Sequence, residues 1–529
     1  MKKISFYFHS LVLLLCIGVL TSCSETKEYE SLISINENNM VVSINLEQLL
    51  TKSDIKNQIT PEDQTEFINN ITYGLEEDSK QLLKSVIDNP GNSGLNIKNR
   101  LYLAISYEGH EIESSQVSLF ASVEDQSKLE NLFKTLAKET EDVTQSEIDG
   151  FKSLAFNENE FHILYNKQIM IATTIKPESD EFKKLTQPEK TLNSYNYYKG
   201  IKSTDDLALA FSIKNLSQLN KQLTVNPASL AFTDSFYDKL DSRVFQVLSL
   251  NFEKGKIDLN QSIFAEEGAD MTIFKEGEEI LKKASGEFAN HVGKDPLFFM
   301  NLGIDGTKLM TFVDKYFMTD EETRESIIDD FAQVKEYMNL VNGDITLALN
   351  SIDFNFISPS ADFSVFCSTK GNTLYTKIVE WIKEKPSSST AIVEETENLL
   401  TLSERGFTMY LGTENDRLFL TSNAELAKNP SKDVAPNIKE SRYYTRSKDG
   451  YSYLSLDIQA ILAIPIVQMG MSNLRGLQNA DVKNFIMDLD YLDAKNNTPL
   501  ASSTSLVFKS QEENSLKLLT KLLVQLTKM

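Results

Sequence analysis

Few side chains in this sequence are suited to covalent or acid–base work. Among 529 residues there are four histidines and three cysteines. Past residue 22 the histidines are His110, His162 and His291, and none has a second histidine at metal-ligand spacing. His110-Glu111 lacks the later histidine of a zinc-protease helix. His162 alternates within a strand-like run and is expected to face solvent or a hydrogen-bond partner. A catalytic base needs a matched nucleophile or metal, and none accompanies these residues. There is no Gly-x-Ser-x-Gly elbow and no Gly-x-Gly-x-x-Gly, and Gly286 and Gly293-Lys294 are wrongly separated for a phosphate loop. Asp488, Asp490 and Asp493 come closest to a calcium loop, but Pro499 stands where the distal Glu belongs. Exposed alternating positions on a strand are the plainer expectation for them. No metal and no cofactor are expected. A glycosidase-type carboxylate pair is defined by its separation in space, so 76 acidic residues neither identify nor exclude a hydrolase.

Tyrosine offers a different chemistry, an apolar ring with a polar tip that suits sugars or peptides. Tyr195, Tyr197, Tyr198, Tyr443 and Tyr444 cluster in two places. Tyr197, Tyr198, Tyr443 and Tyr444 are the candidate ligand contacts, although a recurring pair serves packing equally well. Of the cysteines, Cys367 lies in Phe363-Ser364-Val365-Phe366-Cys367 and reads as a buried small hydrophobe. That leaves the folded part without a disulfide.

Cys23 is the residue with an assignable covalent fate. Lys2 and Lys3 precede an apolar run, Leu11 to Leu20, which is too short to span a bilayer, a task needing about 20 residues. It has the character of a secretory signal. Leu20-Thr21-Ser22-Cys23 then resembles a lipobox. Residues 1–22 are thus expected to be a lipoprotein signal peptide, with diacylglycerol on the Cys23 thiol and acylation of its new amine. Residues 23–31 form a lipidated tether without apolar periodicity. The expected location is the cell envelope, lipid-anchored at the outer membrane, and the first partner is the membrane itself through that anchor.

Loss of residues 1–22 removes two lysines and moves the formal charge from −23 to −25. Such a chain lacks the basic footprint that nucleic acid requires. The acidity is spread along the chain and reads as a solvated surface.

The elements that must position these residues come twice. A strand passing an Asn into a helix occurs at Val41-Val42-Ser43-Ile44-Asn45-Leu46 and again at Leu297 to Leu302. Helical stretches follow, capped at Thr60-Pro61-Glu62-Asp63 and at Thr319-Asp320-Glu321-Glu322. The second carries Ile327, Phe331, Val334, Met338 and Val341 and is expected to stop at Asn342-Gly343. Strand–helix units begin at Val117 and Phe363. Hairpins begin at Phe161 and Phe407, and tyrosine pairs sit at 197–198 and 443–444. A strand is expected from Phe485 to Leu492, with a turn at Lys495-Asn496-Asn497, and Ser387-Ser388-Ser389-Thr390 reads as a loop. Order and spacing together predict an internal duplication. The first repeat domain spans 32–288 and the second 289–529. Alternating strands, hairpins and intervening helices predict an α+β fold: two similar tandem domains, mainly antiparallel sheets with helices packed on one face.

The segment Ile35-Asn36-Glu37-Asn38-Asn39-Met40-Val41-Val42-Ser43-Ile44-Asn45-Leu46, continuing to Lys52-Ser53, resembles the opening of a Bacteroidetes-type lipoprotein family of unknown function, domain of unknown function 4836. Asn36 stands where that family usually has Pro, and Asn39 where it has Ala. The resemblance implies an envelope lipoprotein and supplies no catalytic residues. The leading expectation is a non-enzymatic binding or scaffolding module with an envelope protein partner. The alternatives are a ligand-capturing lipoprotein for nutrient uptake, taking a glycan or peptide, and a hydrolase with carboxylates hidden from sequence.

Overall fold

The structure is a computed structural model. It describes residues 29–106, 115–139, 143–156, 160–215, 236–318, 331–353, 360–384, 390–404, 407–442, 444–447, 450–473 and 479–527. Cys23, His110, Tyr443, the 319–322 cap and Ser387 to Ser389 lie outside the described residues.

Strands carry the architecture. In the first half they are β1 (Asn39–Ile44), β2 (Leu101–Ser106), β3 (Gln116–Ser122), β4 (Val143–Ile148), β5 (Phe151–Phe156), β6 (Phe161–Tyr165), β7 (Ile169–Thr173), β8 (Leu207–Ser212), β9 (Val244–Glu253) and β10 (Lys256–Ala265). The second half has β11 (Leu281–Lys282), β12 (Phe298–Asp305), β13 (Val341–Asp353), β14 (Ser360–Thr369), β15 (Thr390–Glu395), β16 (Leu399–Glu404), β17 (Phe407–Glu414), β18 (Arg417–Thr421), β19 (Ser452–Asp457), β20 (Leu489–Thr498) and β21 (Ala501–Phe508). All pair antiparallel. From one edge the first half runs β4-β5-β6-β7-β3-β2-β1-β8-β9-β10. From the opposite edge the second runs β15-β16-β17-β18-β14-β13-β12-β19-β20-β21. β10 pairs with β21, from Lys256↔Val507 to Ser262↔Ala501, so the ladder passes from one half into the other. Short β11 extends the edge of β12 beyond β19.

The same side-chain details recur along these ladders. Ser118 Oγ lies 2.8 Å from Thr173 Oγ1 across β3 and β7, and Ser364 Oγ lies 3.0 Å from Thr421 Oγ1 across β14 and β18. Each threonine oxygen also accepts a backbone N–H two residues on, from Ile175 at 3.1 Å and from Asn423 at 3.1 Å.

Both faces of the sheet are covered, which corrects the expectation of helices on one face. Phe120 and Ile171 are register partners on one face, where they meet Phe182 and Leu185 of helix Asp180–Thr186 and Tyr198 and Ile201 of helix Tyr198–Ile201. Their neighbours Leu119 and Ala172 point the other way, against Leu50 of helix Leu46–Ser53 and Leu129 and Phe133 of helix Gln126–Ala137. In a strand, successive side chains alternate faces, so apolar residues at consecutive positions require two cores. In the second half Phe366 and Phe419 lie in one core while Cys367 and Leu374 lie in the other.

Other corrections are local. Thr60 is the expected N-cap, with Asp63 completing a capping box, but Gly74 at φ 86° separates two helices, Pro61–Ile71 and Glu77–Asp88. Asn342 and Gly343 do not end a helix; they lie inside β13, where the register shifts. The strand expected from Phe485 begins only at Leu489, because Asn479 caps a helix that runs Ala480–Asp488. The turn after it falls beyond Thr498, not at Lys495 to Asn497.

Candidate functional site

The three described candidate tyrosines separate. Tyr197 is completely buried, its ring centroid 4.6 Å from that of Phe245. It offers no surface to a ligand, so its part is packing. Tyr198 is also buried, in the same core. Tyr444 is half-buried and lines a cavity of about 240 Å³.

Asn301, Thr346, Phe299, Ser285, Ser447 and Tyr444 shape that cavity. On β12, Asn301 pairs with Thr346 of β13 and Tyr453 of β19. The corresponding place on β1 is Ser43, which pairs with Tyr102 of β2 and Ala208 of β8. There the space is filled. Tyr102 is fully buried, its ring 6.0 Å from that of Tyr29. Tyr102 donates to Glu30 Oε1 at 3.2 Å, and burial pushes its phenol well above the usual tyrosine range. Arg100, just before β2, donates from Nε to Ser43 Oγ at 2.5 Å and from Nη1 to Ser203 O at 2.9 Å. Burial lowers the guanidinium pKa. At the corresponding place, within β13, stands Asp344, a buried carboxylate that accepts from Ser285 N at 2.8 Å, Ser285 Oγ at 3.1 Å and Gly286 N at 2.7 Å. The two halves thus hold neighbouring chain with opposite charges.

A larger cleft, about 370 Å³, lies in the first half between residues 34–39, the ends of β2 and β3, and helix Asp180–Thr186. Phe120, Ile175 and Leu185 provide apolar lining, and Glu37, Lys184 and Lys190 provide charge of both signs. Asn39 Oδ1 accepts from Asn36 N at 2.7 Å and Asn36 Oδ1 accepts from Asn38 N at 2.8 Å. These two asparagines, the departures from the family pattern noted above, hold the turn that walls the cleft. Lys190 Nζ sits 3.8 Å from the Tyr195 ring centroid and 3.6 Å from Glu37 Oε1, and Tyr195 donates its hydroxyl to Ile35 O at 3.2 Å. Burial raises the Tyr195 phenol pKa.

The reactive residue types lie elsewhere. His162 is buried edge-on against Phe182, centroids 5.3 Å apart, so of the two expected settings the solvent-facing one does not hold. His291 is buried with Nδ1 3.2 Å from Lys432 O. Cys367 is buried as expected, and burial pushes its thiol up to about 12, which leaves negligible thiolate near neutrality. The three aspartates do not converge. Asp488 accepts from Ser510 Oγ at 2.8 Å, Asp490 pairs with Arg442 at 2.6 Å and Asp493 with Arg446 at 2.6 Å. Asp493 is buried, not exposed, and desolvation raises its pKa. Among the described residues no group of three or more His, Cys, Asp or Glu side chains could hold a metal ion.

Sequence reasoning missed Asp206. It is fully buried, pairs with Lys52 Nζ at 2.8 Å and accepts from Phe252 N at 2.7 Å. Lys52 of the Lys52-Ser53 step was a signal on one side only; nothing in the sequence marks its partner.

These features describe an α+β protein built on an antiparallel sheet, with a cleft and a smaller cavity set between the sheet and its covering segments. The chain belongs to the family described as a domain of unknown function, DUF4836, whose model matches residues 29–516. No curated protein matches it. Two solved structures of TP0453 are similar at 11% identity. Crystal form IV covers 45% of this chain and 81% of that one at a TM-score of 0.26. Crystal form I covers 47% and 82% at 0.24. Similarity at this level carries no argument about fold or function. Among the described residues no helix is long and apolar enough to cross a membrane.

Proposed function

We propose that this protein is a cell-envelope lipoprotein, anchored by lipid on Cys23 at the outer membrane, and that it acts as a non-enzymatic binding module for an envelope protein partner. The observation that carries the reading is the cleft beside Lys190 and Tyr195. Its apolar lining, amide groups and charges of both signs suit a peptide segment better than a single charged metabolite. The buried state of His162, His291 and Cys367 supports a binding role over a catalytic one. The recurring ladder order and hydroxyl pairs support a duplication, with tandem repeats at 32–288 and 289–529.

Crosslinking in intact cells followed by mass spectrometry tests the partner. One envelope protein should be recovered reproducibly, and Lys190→Glu should reduce its recovery by about tenfold, the effect of losing one central contact. Recovery of no partner, or recovery indifferent to Lys190→Glu, would overturn the cleft assignment. Lipid labelling that persists in Cys23→Ala would overturn the anchor. The cavity at Asn301 favours a second reading, capture of a small ligand for uptake.

A further inference from the structure

The second-half cavity has a chemistry of its own. Asn301 and Thr346 are almost entirely buried yet line it. One end of the Asn301 amide accepts from Thr346 Oγ1 at 2.9 Å. The other end, Nδ2, has no hydrogen-bond partner among the described residues. An amide N–H without a protein acceptor, on a residue that lines a cavity, is open to a ligand oxygen. Ser447 Oγ donates to Tyr444 O at 2.8 Å and keeps its lone pairs for an incoming hydroxyl. Phe299 and Ala289 add apolar wall.

Charge narrows the ligand. Among the described residues that line the cavity there is no Lys, Arg, Asp or Glu. Asp344, a buried carboxylate that bonds the lining residues Ser285 and Gly286, is already engaged by them. An ion entering here would lose its hydration without a counter-charge. Size narrows it further. About 240 Å³ is below the common range of drug-sized sites, roughly 300–1,000 Å³, and fits a single ring.

We propose that this cavity binds one neutral hexose unit, with ring hydroxyls on Asn301, Thr346, Ser447 and Tyr444 and the apolar side of the sugar toward Phe299. The assignment deepens the ligand-capture reading and is independent of the partner cleft. It also explains why the halves differ at one ladder position. Tyr102 occupies the place in the first half that Thr346 leaves open in the second.

The test is calorimetric titration of the full-length protein in detergent with glucose, galactose, mannose and N-acetylglucosamine. Free glutamate and lysine serve as charged controls. At least one sugar should bind saturably with a Kd near or below about 1 mM, and neither amino acid should. Thr346→Tyr places the first half's ring in the cavity and should weaken binding at least about tenfold, as should Asn301→Leu. Exposed Lys128→Ala should leave binding unchanged. Melting curves identify which variants fold; if Thr346→Tyr does not, Asn301→Leu and Ser447→Val decide in the same way. Failure of all four sugars to bind saturably, binding of the amino acids instead, or undiminished binding in a folded cavity variant would overturn the assignment. Partner crosslinking that survives such a failure would leave the cleft reading standing.

Discussion

Lys52 carries its charge to a carboxylate with no exposed surface. Asp206 receives that ammonium at 2.8 Å and the Phe252 backbone N–H at 2.7 Å. Removing one partner of a buried pair leaves an uncompensated charge and typically costs about 3–5 kcal/mol. Lys52→Met should therefore lower unfolding stability by about 3 kcal/mol in denaturant melts, near the bottom of that range because Lys52 keeps 19% exposure. Replacing both residues, Lys52→Met with Asp206→Leu, should recover part of the loss. A single variant indistinguishable from the parent would show that the pair contributes nothing. The tyrosines teach a related lesson at this scale. Tyr197 and Tyr444 belong to the same recurring pair pattern, yet one is core and the other lines a cavity. Residue type could not separate them, because a tyrosine's ring satisfies a core and its hydroxyl satisfies a pocket.

Each half locks one strand crossing with a buried hydroxyl pair, Ser118 with Thr173 and Ser364 with Thr421. Strands β3 and β7 are far apart in sequence, and polar groups at their crossing favour one register over its neighbours. Thr173→Val alone should cost about 1–3 kcal/mol, because it strands the Ser118 hydroxyl and leaves the Ile175 N–H without its acceptor. Adding Ser118→Ala should restore part of that cost, and a fully additive double-mutant cycle would rule out the coupling. Legibility at this scale followed burial. The hairpins β6–β7 and β17–β18 were readable because their residues are apolar. β4 was not: Val143–Ile148 is exposed along most of its length and shows no apolar alternation. The helix Ala480–Asp488 was read partly as strand because Phe485 and Ile486 adjoin the apolar start of β20, and neighbouring apolar residues do not reveal their own period.

At the scale of the whole molecule, the β10–β21 ladder is the decisive contact. It runs from Lys256↔Val507 to Ser262↔Ala501, and Ser505 Oγ reinforces it by donating to Asp258 Oδ1 at 2.6 Å and accepting from Arg446 Nη2 at 2.9 Å. An edge strand stripped of its neighbour presents unpaired backbone groups and seeks another strand. The first half expressed alone without β11 and the helix before it, residues 29–270, should therefore associate, with β10 of a second copy standing in for β21. Light scattering after size exclusion should show a dimer or larger species, and mixing with the second half should dissolve it. A stable monomer would show that β10 needs no partner. The cavity and the cleft lie on opposite sides of this junction in the chain, one in each half. The two halves of the chain thus offer different surfaces.

The sequence alone determined the mixed helix and antiparallel-strand composition, most strand positions, the buried character of Cys367 and the membership in the family of unknown function. These follow from local periodicity, capping and short motifs, which act over a few residues. Tertiary structure alone decided that both sheet faces are covered, that one ladder runs through both halves, that Asp206 is the partner of Lys52, and that Tyr102 fills a space which Thr346 leaves open. Each of those depends on which strands become neighbours. Cross-strand packing joins residues far apart in the chain, and no local pattern encodes the volume left between them.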